Sequence, residues 1–270
     1  MNILLYPNLD KYQVSNVVDK IIDYFNDQTH KIFLKKEHAY LLNKTCILNS
    51  FQDVDIAISL GGDGTFLGMC RELLLNKCYV TNVTGINMGT LGFLTTIQTN
   101  NLTNRLFDIA NKNYSITKRS ILESDDNIAI NDIAVTKGSM ISRMLHFAVY
   151  IDDKHFMDYR ADGIIIATAT GSTGYNLSAG GSIVHPSLDA ILITPICAHS
   201  IKIRPLIVRA NTTIRIQLLD SQDALVTFDG QKSFPLKTNR EIEIKNFNHK
   251  LNSIQFKDLT YFDVLKEKLL

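Results

Sequence analysis

The sequence predicts two parts, an α/β domain on the N-terminal side followed by an all-β, sandwich-like domain. Three observations carry this. Up to about residue 118, compact apolar runs alternate with apolar residues at helical spacing, the pattern of a largely parallel sheet with crossover helices. One of those runs stops abruptly in Gly61-Gly62-Asp63-Gly64 before a helix-compatible segment. From about residue 119 the apolar period changes to two, as half-buried antiparallel strands require.

Taken in order, Ile3 to Tyr6 is a first strand, and Val14, Val17, Val18, Ile21, Ile22 and Phe25 lie on one face of a helix. Ile56 to Leu60 is a buried strand, and Thr65 to Leu75, with Leu67, Cys70 and Leu74, is a helix. Val80 to Ile86 is a strand running into Gly89 and Gly92, and Leu102, Leu106, Ile109 and Ala110 mark one more helix. Beyond the boundary near Lys118, Leu145, Phe147, Val149 and Ile151 alternate with polar or small residues, and Ile214, Ile216 and Leu218 repeat the alternation. The division is therefore 1–118 and 119–255. Leu259, Phe262, Leu265 and Leu269 return to helical spacing, so 256–270 is expected to pack back on the first domain.

With 270 residues, 45% hydrophobic and 20% charged, the chain can bury one large core or two modest ones. Lys plus Arg number 28 against 27 Asp plus Glu, so bulk charge attracts neither nucleic acid nor an anionic membrane. A small molecule or another subunit is the expected partner. No basic segment precedes the short apolar run of the N-terminus, and no run approaches the roughly 18 apolar residues of a membrane span. A cytoplasmic protein is expected. The cysteines at 46, 70, 78 and 197 show no metal or disulfide spacing and are expected to be buried thiols.

Gly61-Gly62-Asp63-Gly64-Thr65 occupies a strand-to-helix turn, where ligands bind in an open α/β sheet. Glycines let backbone N–H groups approach a phosphate, and the helix N-terminus favours negative charge. Asp63 would repel a phosphate, so it needs a separate task, such as taking a proton from a hydroxyl or holding a divalent metal. A tight turn whose Asp caps the next helix would use the same residues. A P-loop is absent, and Gly62, Gly64 and Gly68 are spaced one residue too long for the dinucleotide fingerprint.

The second dense region runs from Arg160-Ala161-Asp162-Gly163 through Ile164 to Ile166 into Thr168-Ala169-Thr170-Gly171-Ser172-Thr173-Gly174-Tyr175-Asn176-Leu177-Ser178-Ala179-Gly180-Gly181. Small hydroxylated residues admit a base or sugar closely, and they also make solvated loops. Asn131-Asp132, inside an apolar run, would be costly if buried without partners. A ribose diol or adenine edge would satisfy the pair, and so would a solvent-exposed strand end. His185 and His199 are lone histidines of the kind that make local hydrogen bonds, and Asp189 is a cap or turn residue.

In order and approximate spacing, Gly61 to Leu67, Asn131-Asp132, Arg160 to Gly163 and Thr168 to Gly181 resemble the NAD kinase family. The likeness continues through Asn87 to Phe93, His185 to Ile191, Thr194 to Cys197 and Arg204 to Leu206, covering roughly residues 55 to 232. The resemblance implies a two-domain enzyme that moves a phosphoryl group to the adenosine 2′-hydroxyl of NAD. Its donor would be ATP or, in some members, inorganic polyphosphate, with a divalent cation such as Mg2+ and no dedicated protein metal site. It further implies NAD held between the domains and a homodimer or homotetramer that completes the site.

Carried over by position, Asp63 would accept the proton, with Gly64 beside it touching the dinucleotide and Gly61, Gly62, Gly64 and Thr65 facing phosphate. Phe93 would contact NAD, as would Asn131 and Asp132, which match the family's Asn-Glu pair. Arg160 and Asp162 would serve the nicotinamide end from a neighbouring subunit. Thr173, Gly174, Tyr175, Asn176, Leu177 and Ser178 match the stretch that holds adenosine, and Gln231 and Arg143 match further NAD-contacting positions. Three residues depart from the family pattern: Asp132 in place of Glu, Ala169 in place of Pro, and Gly174 in place of Ala. A lipid or sugar kinase sharing the Gly-Gly-Asp-Gly turn and a non-catalytic NAD(P) sensor are the rival readings; the tract from Thr168 to Gly181 opposes the first, Asp63 the second.

Overall fold

The computed structural model describes residues 1–26, 29–138, 143–220, 224–237 and 240–269. The chain forms two compact units, Met1–Lys118 with Leu251–Leu270, and Arg119–Lys250.

In the first unit β1 (Asn2–Pro7), α1 (Val14–Phe25), β2 (Lys31–Leu34), α2 (Lys36–Leu41), β3 (Ile56–Gly61), α3 (Asp63–Leu75), β4 (Asn82–Asn87), β5 (Ile97–Gln98) and α4 (Leu102–Ala110) follow one another, with β6 (Ser115–Arg119) at the boundary. The strands β2, β1, β3 and β4 lie side by side, all parallel, and β5 joins β4 in parallel. Because helices cover such a sheet on both faces, its central strand has no polar face: every residue of β3 is buried. On α1 the positions at helical spacing, Val14, Val17, Val18, Ile21 and Phe25, are the buried ones and join Ile3, Leu5, Ile58 and Leu60 in one core. Each such side chain contributes about 1.5–3 kcal/mol by leaving water.

The second unit holds β7 (Leu122–Ser124), β8 (Asn127–Ala129), β9 (Asp132–Lys137), β10 (Leu145–Ile151), β11 (Lys154–Ala161), β12 (Gly163–Thr168), the short helix α5 (Tyr175–Ser178), β13 (Ala190–Ile196), β14 (Leu206–Arg209), β15 (Ile214–Leu218), β16 (Ala224–Phe228), β17 (Lys232–Leu236) and β18 (Glu241–Asn246). They form two antiparallel six-stranded sheets, ordered β11-β10-β15-β18-β7-β8 and β14-β13-β12-β9-β16-β17. Phe147, Ile216 and Ile244 of the first meet Ile133, Ile164 and Val226 of the second in one apolar layer, the sandwich that the period-two pattern predicts. The second sheet is also covered on its outer face, where Ala134, Ile165, Ala167 and Leu192 pack with Ala169 and Val184. That double burial explains why Ile164-Ile165-Ile166 shows no alternation.

One boundary differs from the expectation. Leu251–Gln255 (β19), read from sequence as the end of the β-rich part, pairs in parallel with β4 and belongs to the first unit. Its partner lies about 170 residues away, so no local signal marks the switch. The closing helix α6 (Tyr261–Leu269) belongs to the same unit, with Val264 as its buried residue. Among the cysteines, Cys70 and Cys78 are buried as expected, whereas Cys46 is half-buried and Cys197 exposed. Cys197 stands just past β13 at φ 47°, a turn position that leaves its thiol outside the sheet. Among the described residues no helix is long and apolar enough to cross a membrane.

Candidate functional site

Strand β3 delivers Gly61 to the carboxyl-end edge of the parallel sheet, and α3 begins two residues later, with Gly62 as its cap and Asp63 as its first residue. The carbonyl of Gly62 accepts from the N–H of Thr65 (3.0 Å) and of Phe66 (3.1 Å). No side chain caps this helix start. A Cβ at Gly62 would meet nothing within 4 Å, and Gly64 is exposed. The turn thus has open space where an anion could meet backbone N–H groups and the helix dipole.

Asp63 is held by the segment after β4. Its Oδ1 accepts from the N–H of Leu94 (3.1 Å), the N–H of Thr95 (3.0 Å) and the hydroxyl of Thr95 (2.9 Å), and its Oδ2 accepts from the N–H of Phe93 (2.9 Å). The Thr95 hydroxyl in turn accepts from the buried Asn87 amide at 2.8 Å, while Asn87 Oδ1 accepts from the N–H of Gly89 at 2.7 Å. Gly92 lies so close that a Cβ there would stand 2.0 Å from Asp63 Oδ1. A carboxylate has about four lone-pair sites on two oxygens, so Oδ1 is saturated and Oδ2 keeps room for one more donor. Thr95 escapes the sequence reading because its partner is 32 residues distant, and the link of Asn87 to Asp63 escapes it because it runs through the Thr95 side chain. Phe93, expected as a ligand contact, is half-buried and supplies its backbone N–H to this cradle.

In the second unit Asn131 sits in the bend before β9 and Asp132 is its first residue. Asp132 is 5% exposed and its carboxylate accepts no hydrogen bond among the described residues. Burial, and then the charge of Asp229, push it up to about 7. Asn131 Oδ1 is likewise buried with no partner among the described residues. Over them lies the loop from β12 to α5: a Cβ at Gly171 would stand 2.1 Å from the Asn131 carbonyl oxygen, and one at Gly174 would stand 3.7 Å from Asn131 Nδ2 and 3.9 Å from Asp132 Oδ2. Gly171 is therefore obligatory, whereas an alanine at Gly174 would narrow the space above Asp132.

The loop is tied internally. Thr168 Oγ1 donates to the Ile130 carbonyl (2.7 Å) and accepts from the Gly171 N–H (3.0 Å), and Ser172 Oγ donates to the Val184 carbonyl (3.0 Å). Asn176 corrects an expectation. Its side chain is fully buried, donates to the carbonyls of Ser172 and Ser182 and accepts from Thr194 Oγ1 at 2.6 Å, so it holds the loop rather than facing a ligand. Tyr175, by contrast, is 44% exposed. Its phenol is raised by partial burial and then by Asp132, Cys197 and Asp162, which puts Tyr175, Asp132 and Asp162 in one neighbourhood. Asp162 also pairs with Lys137 at 3.1 Å.

Thr173 and Leu177 are half-buried, and Ser178 and Gln231 exposed. Arg143 and Arg160 line a separate open cavity of about 370 Å3 with Met144, His146, His199 and Asp220. Arg160 and His146 are cross-strand partners there. His185 makes the local bond expected of it, Nδ1 to Ser187 Oγ at 2.7 Å.

Comparison with known proteins meets this geometry. Residues 13–114 match the model of the ATP-NAD kinase N-terminal domain, and residues 130–256 that of the ATP-NAD kinase C-terminal domain. The chain is 37% identical to the NAD kinase of Clostridium botulinum (strain Loch Maree / Type A3), across 99% of this chain and 96% of that one. It is 36% identical to the NAD kinase of Magnetococcus marinus, across 98% and 92%. Among solved structures, yeast NADH kinase complexed with NADH aligns with a TM-score of 0.86 at 26% identity, across 98% of this chain and 85% of that one. An NAD kinase from Archaeoglobus fulgidus in complex with ATP aligns with a TM-score of 0.79 at 26% identity, across 99% and 98%. The chain belongs to the NAD kinase family, enzymes that phosphorylate NAD to NADP.

Proposed function

We propose that Asp63 is the general base of this kinase and that its Oδ2 takes the proton of the NAD 2′-hydroxyl. The observation that carries the reading is the asymmetry of the carboxylate, with three donors on Oδ1 and one on Oδ2. The 2′-oxygen attacks the γ-phosphorus of ATP, the bond from that phosphorus to the β–γ bridging oxygen breaks, and its electron pair leaves with ADP. The proton moves to Asp63. Such transfer depends on positioning and charge neutralisation more than on covalent chemistry. Gly61, Gly62, Gly64 and Thr65 at the start of α3 suit donor phosphates. Asn131 Oδ1 and the Asp132 carboxylate suit the hydroxyls and base edge of the acceptor, with Thr173, Gly174, Tyr175, Leu177, Ser178 and Gln231 around them. Arg143, Arg160 and Asp162 suit the nicotinamide end.

Among the described residues no three His, Cys, Asp or Glu side chains gather to hold a metal. A divalent cation, Mg2+ foremost, fits as an ion carried on the donor's phosphates, where it would neutralise their charge. A cytoplasmic homo-oligomer is part of the same reading. Its support is β11, at the end of its sheet with Phe156 and Met157 exposed.

The test is an endpoint assay of the purified protein with NAD, ATP and magnesium, reading NADP with an NADP-specific dehydrogenase, repeated with polyphosphate in place of ATP. NADP formation with ATP is expected, and Asp63→Asn should lower kcat by roughly 10²-fold or more while NAD still binds. Near-normal turnover in Asp63→Asn would overturn the base assignment.

A further inference from the structure

We propose that Asp229 is a positioning residue for acceptor recognition: it staples the backbone carrying Asn131 and Asp132, and its charge makes use of that pair depend on pH. The proposal rests on the reading that Asn131 and Asp132 hold NAD. Asp229 lies in the tight turn between β16 and β17, at φ 51°, with Gly230 at φ 63°. This left-handed pair folds the carboxylate back over the start of β9. There it accepts from the N–H of Ile130 (3.0 Å and 3.1 Å to its two oxygens), of Asn131 (2.7 Å) and of Asp132 (3.2 Å). Its own N–H donates to the Asp132 carbonyl at 2.9 Å. Three consecutive N–H groups converging on one carboxylate are charge-assisted hydrogen bonds and fix where both side chains point.

The same arrangement sets two carboxylates in one corner and gives donors to only one. Asp132 is faced by Asp229 from the β16–β17 turn and by the Tyr175 phenol from α5. Among the described residues no cation contributes to its environment. A carboxyl so placed keeps its proton until about pH 7. A ribose hydroxyl that donates to it is held more strongly by the ionised form, so NAD binding favours loss of the proton and affinity rises with pH up to that point. Neutralising Asp229 removes the repulsion but not the burial, and so moves the rise to lower pH.

The experiment measures NAD affinity by calorimetry, and KM and kcat for NAD and ATP, from pH 5.5 to 8.5 in the full chain. Asp229→Asn keeps the size and one acceptor oxygen, and Asp229→Gly keeps the left-handed turn if the first variant folds poorly. Wild-type affinity should fall as pH drops below 7, approaching tenfold per unit. Each variant should bind NAD about tenfold more weakly at pH 8, with the loss in the KM for NAD rather than in kcat or the KM for ATP. In Asp229→Asn the acid fall should begin at lower pH than in the wild type, with burial holding it above the ordinary carboxylate range. A flat wild-type profile, or variants with unchanged NAD affinity, would overturn the proposal. So would equal losses for both substrates, which indicate a merely structural residue. Asp132→Asn separates the two layers: unchanged NAD affinity there defeats the recognition reading itself, whereas weakened affinity in Asp132→Asn with none in the Asp229 variants defeats only the staple.

Discussion

Asp63 and Asp132 are both aspartates at the start of a regular element, and their surroundings are opposite. Asp63 accepts four hydrogen bonds from the Phe93–Thr95 segment, whereas the Asp132 carboxylate has none among the described residues and a second carboxylate beside it. Donors fix a carboxylate in place; their absence from a buried one is a standing cost that a ligand with hydroxyl donors can relieve. The first environment suits a group that must hold still to a fraction of an ångström while a proton arrives. The second suits a group whose interactions are completed by what it binds.

This contrast is most sharply tested at Gly92, where the Asp63 cradle leaves no room for a methyl. An added Cβ would stand 2.0 Å from Asp63 Oδ1 and 2.4 Å from Thr95 Oγ1. Gly92→Ala should therefore displace the carboxylate and lower kcat roughly 10²-fold, the scale that a 1 Å misplacement commands, with NAD affinity retained. Wild-type turnover in this variant would show that the cradle's geometry is irrelevant to catalysis.

At Asp132 the effect appears in stability. Its folded-state titration is raised from 3.8 to about 7, so between those values the unfolded chain ionises while the folded one resists. The penalty therefore grows as pH rises and is complete above about 7. Between pH 5.5 and pH 8 it should deepen by roughly 2 kcal/mol. Asp132→Asn removes it, so the melting temperature of the variant relative to wild type should be several degrees more favourable at pH 8 than at pH 5.5. An equal difference at both pH values would refute the raised titration.

A smaller loss is expected at Thr95. Thr95→Val keeps the shape, removes one of the four donors to Asp63 and leaves the buried Asn87 amide without its acceptor. Turnover should fall about tenfold, the scale of one hydrogen bond to a charged group, and Thr95→Ser should restore most of it. Failure of serine to rescue would show that the hydroxyl does not sustain the cradle without the Thr95 methyl group to hold it in place.

Both carboxylates were visible in the sequence, Asp63 because glycines at the end of an apolar run mark a strand-to-helix turn, Asp132 because a polar pair interrupts a strand-like run. Their difference was not visible. The donors to Asp63 come from 30 to 32 residues downstream and the carboxylate beside Asp132 from 97 residues downstream. Periodicity reports which face of an element is buried, not which element covers it. The alternation of Leu145–Ile151 was legible for that reason, and the parallel pairing of Leu251–Gln255 with β4 was not. Asn176 failed similarly: in a tract of small polar residues nothing local separates a side chain that holds the loop from one that faces a ligand.

The smallest effect concerns the rim of the Asp132 corner, where Ala169 replaces the proline usual in the family. Its φ is −58°, inside the range a pyrrolidine ring imposes. Thr168 before it is a strand residue, as the residue preceding a proline prefers. Among the described residues the Ala169 N–H donates no hydrogen bond, so nothing is lost with it. Ala169→Pro should stabilise the protein by about 0.4–1 kcal/mol by restricting the unfolded chain, raising the melting temperature by about 1–4 °C. Ala169 is 2% exposed, so the ring must also fit among Ala134, Ala167 and Val184. A lower melting temperature would mean that this packing, rather than backbone freedom, selected alanine here.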